Sequence, residues 1–237
     1  MQLLEPHPVI MTFASAQLTA HGFFFAVGGL IATLFIILQR HKLNLSFNDA
    51  LERCVMIFVG GIIGARLGYV IAYPTTWNSV WDIFAIWQGG LVSFTGILAG
   101  LGVAALYARK LDPEQKILWL RIIVHATLLG WFLGRFGNYY AAESGGVAST
   151  FWSATYGKVP IQLFESFGCL GLFLWLQFTK FKPVEQIFLG IGGYLVLRFM
   201  VDFWRDEAQL GLHVSQWVSL LGLIILAFYW RKYAPKK

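Results

Sequence analysis

Long apolar stretches separated by short polar ones run the length of the chain. Taking about 20 apolar residues as one membrane-spanning helix, the pattern predicts seven helices, at 20–39, 49–72, 91–108, 117–141, 160–179, 185–204 and 214–231. No fixed-period repeat, linker or low-complexity segment interrupts them, so residues 1–237 read as one domain. The predicted fold is an all-α polytopic membrane protein. No basic segment precedes the first apolar run, which predicts a true span and not a cleaved signal peptide.

The polar punctuation sets an orientation. Arg40, His41 and Lys42 follow the first helix, whereas the connection 73–90 holds no Lys or Arg. Arg109, Lys110 and Lys116, then Lys180 and Lys182, then Arg231, Lys232, Lys236 and Lys237 fall on the side of the first cluster. The positive-inside rule therefore places the N-terminus outside and the C-terminus in the cytoplasm. Two outer connections are longer and more aromatic than turns. Residues 74–90 carry Trp77, Trp81 and Trp87 and read as an interfacial segment. Residues 143–159 include Gly145, Gly146, Phe151, Trp152 and Tyr156 and read either as an arm over an outward-facing cavity or as an ordinary interfacial loop.

Composition removes several classes of function. At 57% hydrophobic and 13% charged residues, the chain has too little polar surface for a soluble domain. The net charge of +6 sits in short clusters between apolar segments, a topology signal and not a nucleic-acid footprint. Cys54 and Cys169 both lie in apolar runs, so neither a disulfide framework nor a metal cluster is indicated. No zinc motif, Walker loop or nucleophile elbow is present, and no cofactor is called for.

Against this background, ionisable residues inside the spans stand out. A charge near the bilayer centre costs about 3 kcal/mol or more, and arginine does not shed its proton. Arg135 lies in such a place, with Asn138 on the same helical face and Gly134 and Gly137 leaving room for close approach. Arg66 follows Gly60, Gly61 and Gly64 at the outer end of the second helix, level with Gly89, Gly90, Ser93, Thr95 and Gly96. Arg198 and Asp202 are four apart and can pair. Arg205 serves either a site or the membrane interface. Gln162 and Glu165 open the fifth helix, where they either complement its dipole or join the site. His21 begins the first helix near the outer face, Arg121 reads as an inner snorkeller, and His125 as a helix-to-helix hydrogen bonder. Several arginines with few acids in a low-dielectric setting point to an anion, phosphate above all.

In their order along the chain these residues resemble the prolipoprotein diacylglyceryl transferases, bacterial membrane enzymes that attach diacylglycerol to the lipobox cysteine of preprolipoproteins. The strongest match is Gly134, Arg135, Phe136, Gly137, Asn138, followed by Glu143 and Gly146. Supporting it are Gly64, Arg66, Leu67, Gly68, Tyr69; Trp87, Gln88, Gly89, Gly90; Pro160, Gln162, Leu163, Phe164, Glu165; Arg198, Phe199, Asp202, Phe203, Arg205; and Ser215, Gln216, Trp217. The resemblance extends from about Gly22 to Arg231 and implies a seven-span enzyme of the bacterial cytoplasmic (inner) membrane.

The resemblance implies that a cysteine thiol attacks the glyceryl carbon of phosphatidylglycerol, forming a thioether and releasing glycerol 1-phosphate. Catalytic roles fall to Arg135, Arg198, Glu143 and His21. Head-group contacts fall to Arg66, Arg135, Asn138, Glu143, Gly146, Gln162, Glu165, Arg198, Asp202 and Arg205. The chain departs from the family in four places. Phe94, Thr95 and Gly96 stand where many members carry a histidine proposed as base. His21 stands where tyrosine is usual, Asp202 shortens a glutamate, and Val159 replaces a histidine. A non-catalytic anionic-phospholipid binder or transporter derived from the family is the second reading.

Overall fold

The computed structural model describes residues 8–13, 16–75, 79–86, 89–143, 145–150, 157–206 and 211–233. Among the described residues seven α-helices form: α1 Ala20–Gln39, α2 Phe47–Ala72, α3 Ser93–Ala108, α4 Pro113–Tyr140, α5 Ile161–Phe178, α6 Pro183–Val201 and α7 Val214–Tyr233. Each boundary falls within four residues of the one the apolar pattern predicts. Six are long and apolar enough to cross a membrane. The exception, α3, has 16 residues, about 24 Å at 1.5 Å per residue, against a hydrocarbon core of about 30 Å. Its late start has a backbone cause. Gly89 and Gly90 adopt φ of +81° and +71°, a conformation that interrupts right-handed helix.

The polarity of the fold is inverted relative to a soluble protein. Phe178, Ile71 and Leu30 are 85%, 79% and 69% exposed, while Glu165 and Asp202 are 1% and 0% exposed. Lipid is the solvent that suits such an exterior, and the chain is a multi-pass membrane protein.

The helical fold carries one small addition. β1 Val9–Phe13 and β2 Ala16–Thr19 pair antiparallel, with Val9 opposite Thr19 and Phe13 opposite Ala16. The sequence hides this hairpin because its strands are short and its apolar positions do not alternate cleanly. Pro8 O accepts from Ala20 N at 2.9 Å, tying the hairpin to the start of α1.

By internal packing the chain clusters as two compact units, Thr33–Ile123 and Met1–Ala32 with Val124–Lys237. The first unit is built on small residues. A β-carbon at Gly64 or Gly68 of α2 would overlap Ala99 or Thr95 of α3, and one at Gly60 would lie 2.7 Å from Val103 Cγ2. Glycine therefore sets the close approach of these two helices.

In the second unit, Gly28 of α1 meets α4, with 2.9 Å from a would-be β-carbon to Gly130 O. Leu128 of α4 with Cys169 and Leu176 of α5 forms a buried core that Trp131, Phe173 and Leu197 cover. Both cysteines are free and buried. Of the aromatic residues expected in the outer connections, Trp81 is 79% exposed, as an interfacial residue should be. Trp77, Trp87, Phe151, Trp152 and Tyr156 lie outside the described residues.

Candidate active site

Within the second unit, the C-terminal ends of α4 and α6 meet the N-terminal ends of α1, α5 and α7, and polar side chains gather there. Glu165, one turn into α5, is the hub. Its Oε1 accepts from Trp131 Nε1 at 2.8 Å and from the Tyr194 hydroxyl at 3.0 Å. Its Oε2 accepts from Arg198 Nη1 at 2.5 Å and lies 3.0 Å from Arg135 Nε. The Arg135 approach is an ion pair without an in-line hydrogen bond, because the Nε proton has no acceptor along its axis. Glu165 is therefore no helix cap. A carboxylate this buried is stable only because two guanidinium groups and two neutral donors replace its water.

Arg198 continues the network outward. Its Nη2 lies 3.2 Å from Asp202 Oδ1, the pairing that the four-residue spacing predicts. Asp202 also accepts from the Ser215 hydroxyl at the start of α7, and Arg205 Nη1 lies 3.7 Å from it. Arg205 follows the short 3-10 turn Asp202–Trp204. Burial, aided by the neighbouring charge of Arg198, holds its guanidinium below the ordinary arginine value. Arg135, Ile161, Gln162, Glu165, Arg198 and Arg205 line a narrow cleft. Three guanidinium groups here face two carboxylates, so one positive charge is left uncompensated.

A second limb runs from Arg135 toward the outside of the unit. Arg135 Nη1 donates to Asn138 Oδ1 at 3.4 Å, and its guanidinium carbon lies 4.8 Å from the Trp131 ring centre. Asn138 Nδ2 donates to Glu143 Oε2 at 2.8 Å and lies 2.8 Å from His21 Nδ1. His21 Nδ1 is 3.2 Å from the same Glu143 oxygen. Gln162 Nε2 donates to the Glu143 backbone carbonyl, joining α5 to the limb. The two glycines flanking Arg135 behave differently. Gly134 faces open space, whereas a β-carbon at Gly137 would lie 2.7 Å from Phe24 Cβ and 3.4 Å from His21 Cα. Gly137 thus admits α1, not a ligand.

The described part of the 143–159 connection is tied down by backbone bridges. Gly146 pairs with Arg205 and Ala148 with Lys158 as isolated bridges. Val147 N donates to Trp204 O at 2.7 Å and Gly146 N to Val159 O at 3.1 Å. A β-carbon at Gly146 would meet Trp204 O at 2.5 Å and Val159 O at 2.8 Å, so only glycine fits.

Arg66 belongs to the first unit, where four of its five N–H groups donate to backbone carbonyls. Its Nε donates to Ile83 O at 2.9 Å, Nη1 to Gly89 O at 2.5 Å and Gly90 O at 3.0 Å, and Nη2 to Asp82 O. The fork closes the connection between α2 and α3, where the sequence reading has it on a head group. Reading the sequence also passes over Trp131, Tyr194 and Ser215 as site residues. A signal exists for two of them: Trp131 and Tyr194 each stand one helical turn before an arginine of the cluster, on the same face.

A family model described as prolipoprotein diacylglyceryl transferase matches residues 8–231. The chain belongs to that family. Relatives named phosphatidylglycerol–prolipoprotein diacylglyceryl transferase agree with the assignment. The Clostridium perfringens (strain 13 / Type A) protein, so named with the number 1, is 29% identical over 92% of this chain and 91% of its own length. That of Geobacter sulfurreducens is 30% identical over 90% of this chain and 87% of its own. That of Lactobacillus gasseri is 29% identical over 99% of this chain and 94% of its own. In this family member Thr95 donates to Val92 O at 3.0 Å and packs on Gly68, a helix-packing role within the first unit.

Proposed function

We propose that the chain transfers the diacylglyceryl group of phosphatidylglycerol to the lipobox cysteine thiol of a preprolipoprotein. The products are the thioether and glycerol 1-phosphate. The observation that carries this is the Glu165 cluster: Arg135 and Arg198 are held by one buried carboxylate beside a cleft that Arg205 also lines. Donors fixed in advance stabilise the charge that grows on a departing phosphate without reorganising.

Arg135, Arg198 and Arg205 take the phosphate in this reading. Gln162, Gly146 and Asp202 shape the cleft, while Asn138, Glu143 and His21 occupy its outer limb. Arg66 staples the α2–α3 connection of the first unit. The orientation that the basic clusters support puts α1's N-terminus outside and α7's C-terminus in the cytoplasm, with α3 as a seventh, short span. The bacterial cytoplasmic membrane is the setting that the substrates require, and the chain works there as one functional unit.

The experiment is incubation of the purified protein with phosphatidylglycerol vesicles and a lipobox peptide. Release of glycerol phosphate together with a diacylglyceryl mass gain on the peptide is expected. Inactivity beside an active relative overturns the reading. The second reading, a phospholipid binder or transporter, draws on Thr95 standing where many relatives carry histidine. Peptide modification excludes it.

A further inference from the structure

We infer that Trp131 is the positioning residue of Arg135: its indole face is the platform that orients this guanidinium for the phosphate. This rests on the transfer reading above. Arg135 and Arg198 share one carboxylate oxygen and are held unequally. Arg198 donates to Glu165 Oε2 at 2.5 Å and pairs with Asp202 at 3.2 Å. Arg135 makes no in-line hydrogen bond from Nε to that oxygen, and its bond to Asn138 Oδ1 is long, at 3.4 Å. Contacts of this kind attract a guanidinium without fixing its plane. The Trp131 ring, its centre 4.8 Å from the guanidinium carbon, supplies the remaining restraint.

The platform is itself locked. Trp131 Nε1 donates to Glu165 Oε1 at 2.8 Å. The Tyr194 ring stands nearly perpendicular to the indole with centres 6.0 Å apart, and the indole packs on the core of Leu128, Cys169 and Leu176. Trp131, Glu165 and Arg135 therefore close a triangle: the indole N–H on one carboxylate oxygen, the guanidinium beside the other, and the guanidinium over the indole. Helical geometry makes the third side available, because residues four apart on α4 lie one above the other.

Two consequences follow for the phosphate. The carboxylate polarises the indole that donates to it, which makes the ring face more negative beneath the cation. A cation–π contact also uses none of the five N–H groups of arginine. With Nε turned toward Glu165, Nη1 toward Asn138 and one face on the ring, the Nη2 edge of Arg135 is left for an anion.

The test is the rate of transfer from phosphatidylglycerol vesicles to a lipobox peptide, with position 131 filled by nonsense suppression with tryptophans carrying one to four ring fluorines. Fluorine draws charge from the ring face and makes the N–H a stronger donor, so it weakens the platform while strengthening the bond to Glu165. The platform role predicts that kcat falls with each added fluorine, by about tenfold across the series, with KM for phosphatidylglycerol and the melting temperature in detergent unchanged. A Trp131 that only packs, or that acts only by anchoring Glu165, gives a flat or rising series, and either result overturns the inference. Trp131→Phe, which keeps a ring face and loses the N–H, is expected to exceed Trp131→Leu in kcat; Trp131→Leu matching it overturns the inference as well. These outcomes leave the transfer reading intact, since the natural chain remains active in them. Absence of transfer by the natural chain overturns both.

Discussion

Glu165 Oε2 sits between Arg198 Nη1 at 2.5 Å and Arg135 Nε at 3.0 Å. One carboxylate oxygen thereby spaces two guanidinium groups that come from different helices. Removing its charge while keeping its shape separates holding from binding. In Glu165→Gln the two arginines repel and lose register, and the cleft becomes more positive. The expected result is a fall in kcat of at least about tenfold with binding to phosphatidylglycerol vesicles retained. Steady-state kinetics with vesicle sedimentation measures both. The melting temperature in detergent should fall too, because an unpaired buried charge costs about 3–5 kcal/mol.

Arg66 gives a contrasting expectation. Its planar fork reaches four carbonyls, of Asp82, Ile83, Gly89 and Gly90, which a single ammonium cannot span. Arg66→Lys should cost about 1–3 kcal/mol of stability from carbonyls left unsatisfied and leave KM for phosphatidylglycerol unchanged. Thermal unfolding and initial rates check it. A raised KM with unaltered melting would return Arg66 to the head group.

The glycines beside Arg135 should part company on substitution. Gly137→Ala forces α1 away from α4, since its β-carbon would lie 2.7 Å from Phe24 Cβ. Loss of folded protein or of activity is expected, read by size-exclusion yield and transfer rate. Gly134→Ala meets no atom within 4 Å and should fold normally.

Gly146→Ala tests the arm. Its β-carbon would press on Trp204 O and Val159 O, which belong to the bridges that seat the arm against Arg205. Lower kcat with faster proteolytic cleavage between Gly145 and Lys158 is expected, because undocking exposes the backbone.

Much of this was legible from residue order. Apolar length located all seven helices, and the expense of burying charge picked out Arg135, Arg198 and Glu165 before any packing was known. Spacing alone predicts the Arg198 and Asp202 pair. What spacing does not carry is partner choice across helices. Glu165 reads equally as a dipole-complementing residue of α5 until α4 and α6 deliver their arginines to it. Arg66 reads as a ligand residue in the sequence, which does not show that it also donates to the carbonyls of a sequence-distant connection. Gly134 and Gly137 look alike in sequence and differ only in what stands opposite. The short β-hairpin is invisible for another reason: its strands are too brief for alternation to register.

The sharing of Glu165 between α4 and α6 bears on how the protein is made. Arg135 enters the membrane first, on α4, and its countercharge arrives only with α5. A chain released after α5 carries the neutral Arg135 and Glu165 pair. Once α6 is added, Arg198 brings its own acid, Asp202, four residues behind. Each arginine thus travels with a carboxylate supplied on the same or the next helix, so biogenesis never has to leave two unpartnered cations in lipid, where each would cost about 3 kcal/mol or more.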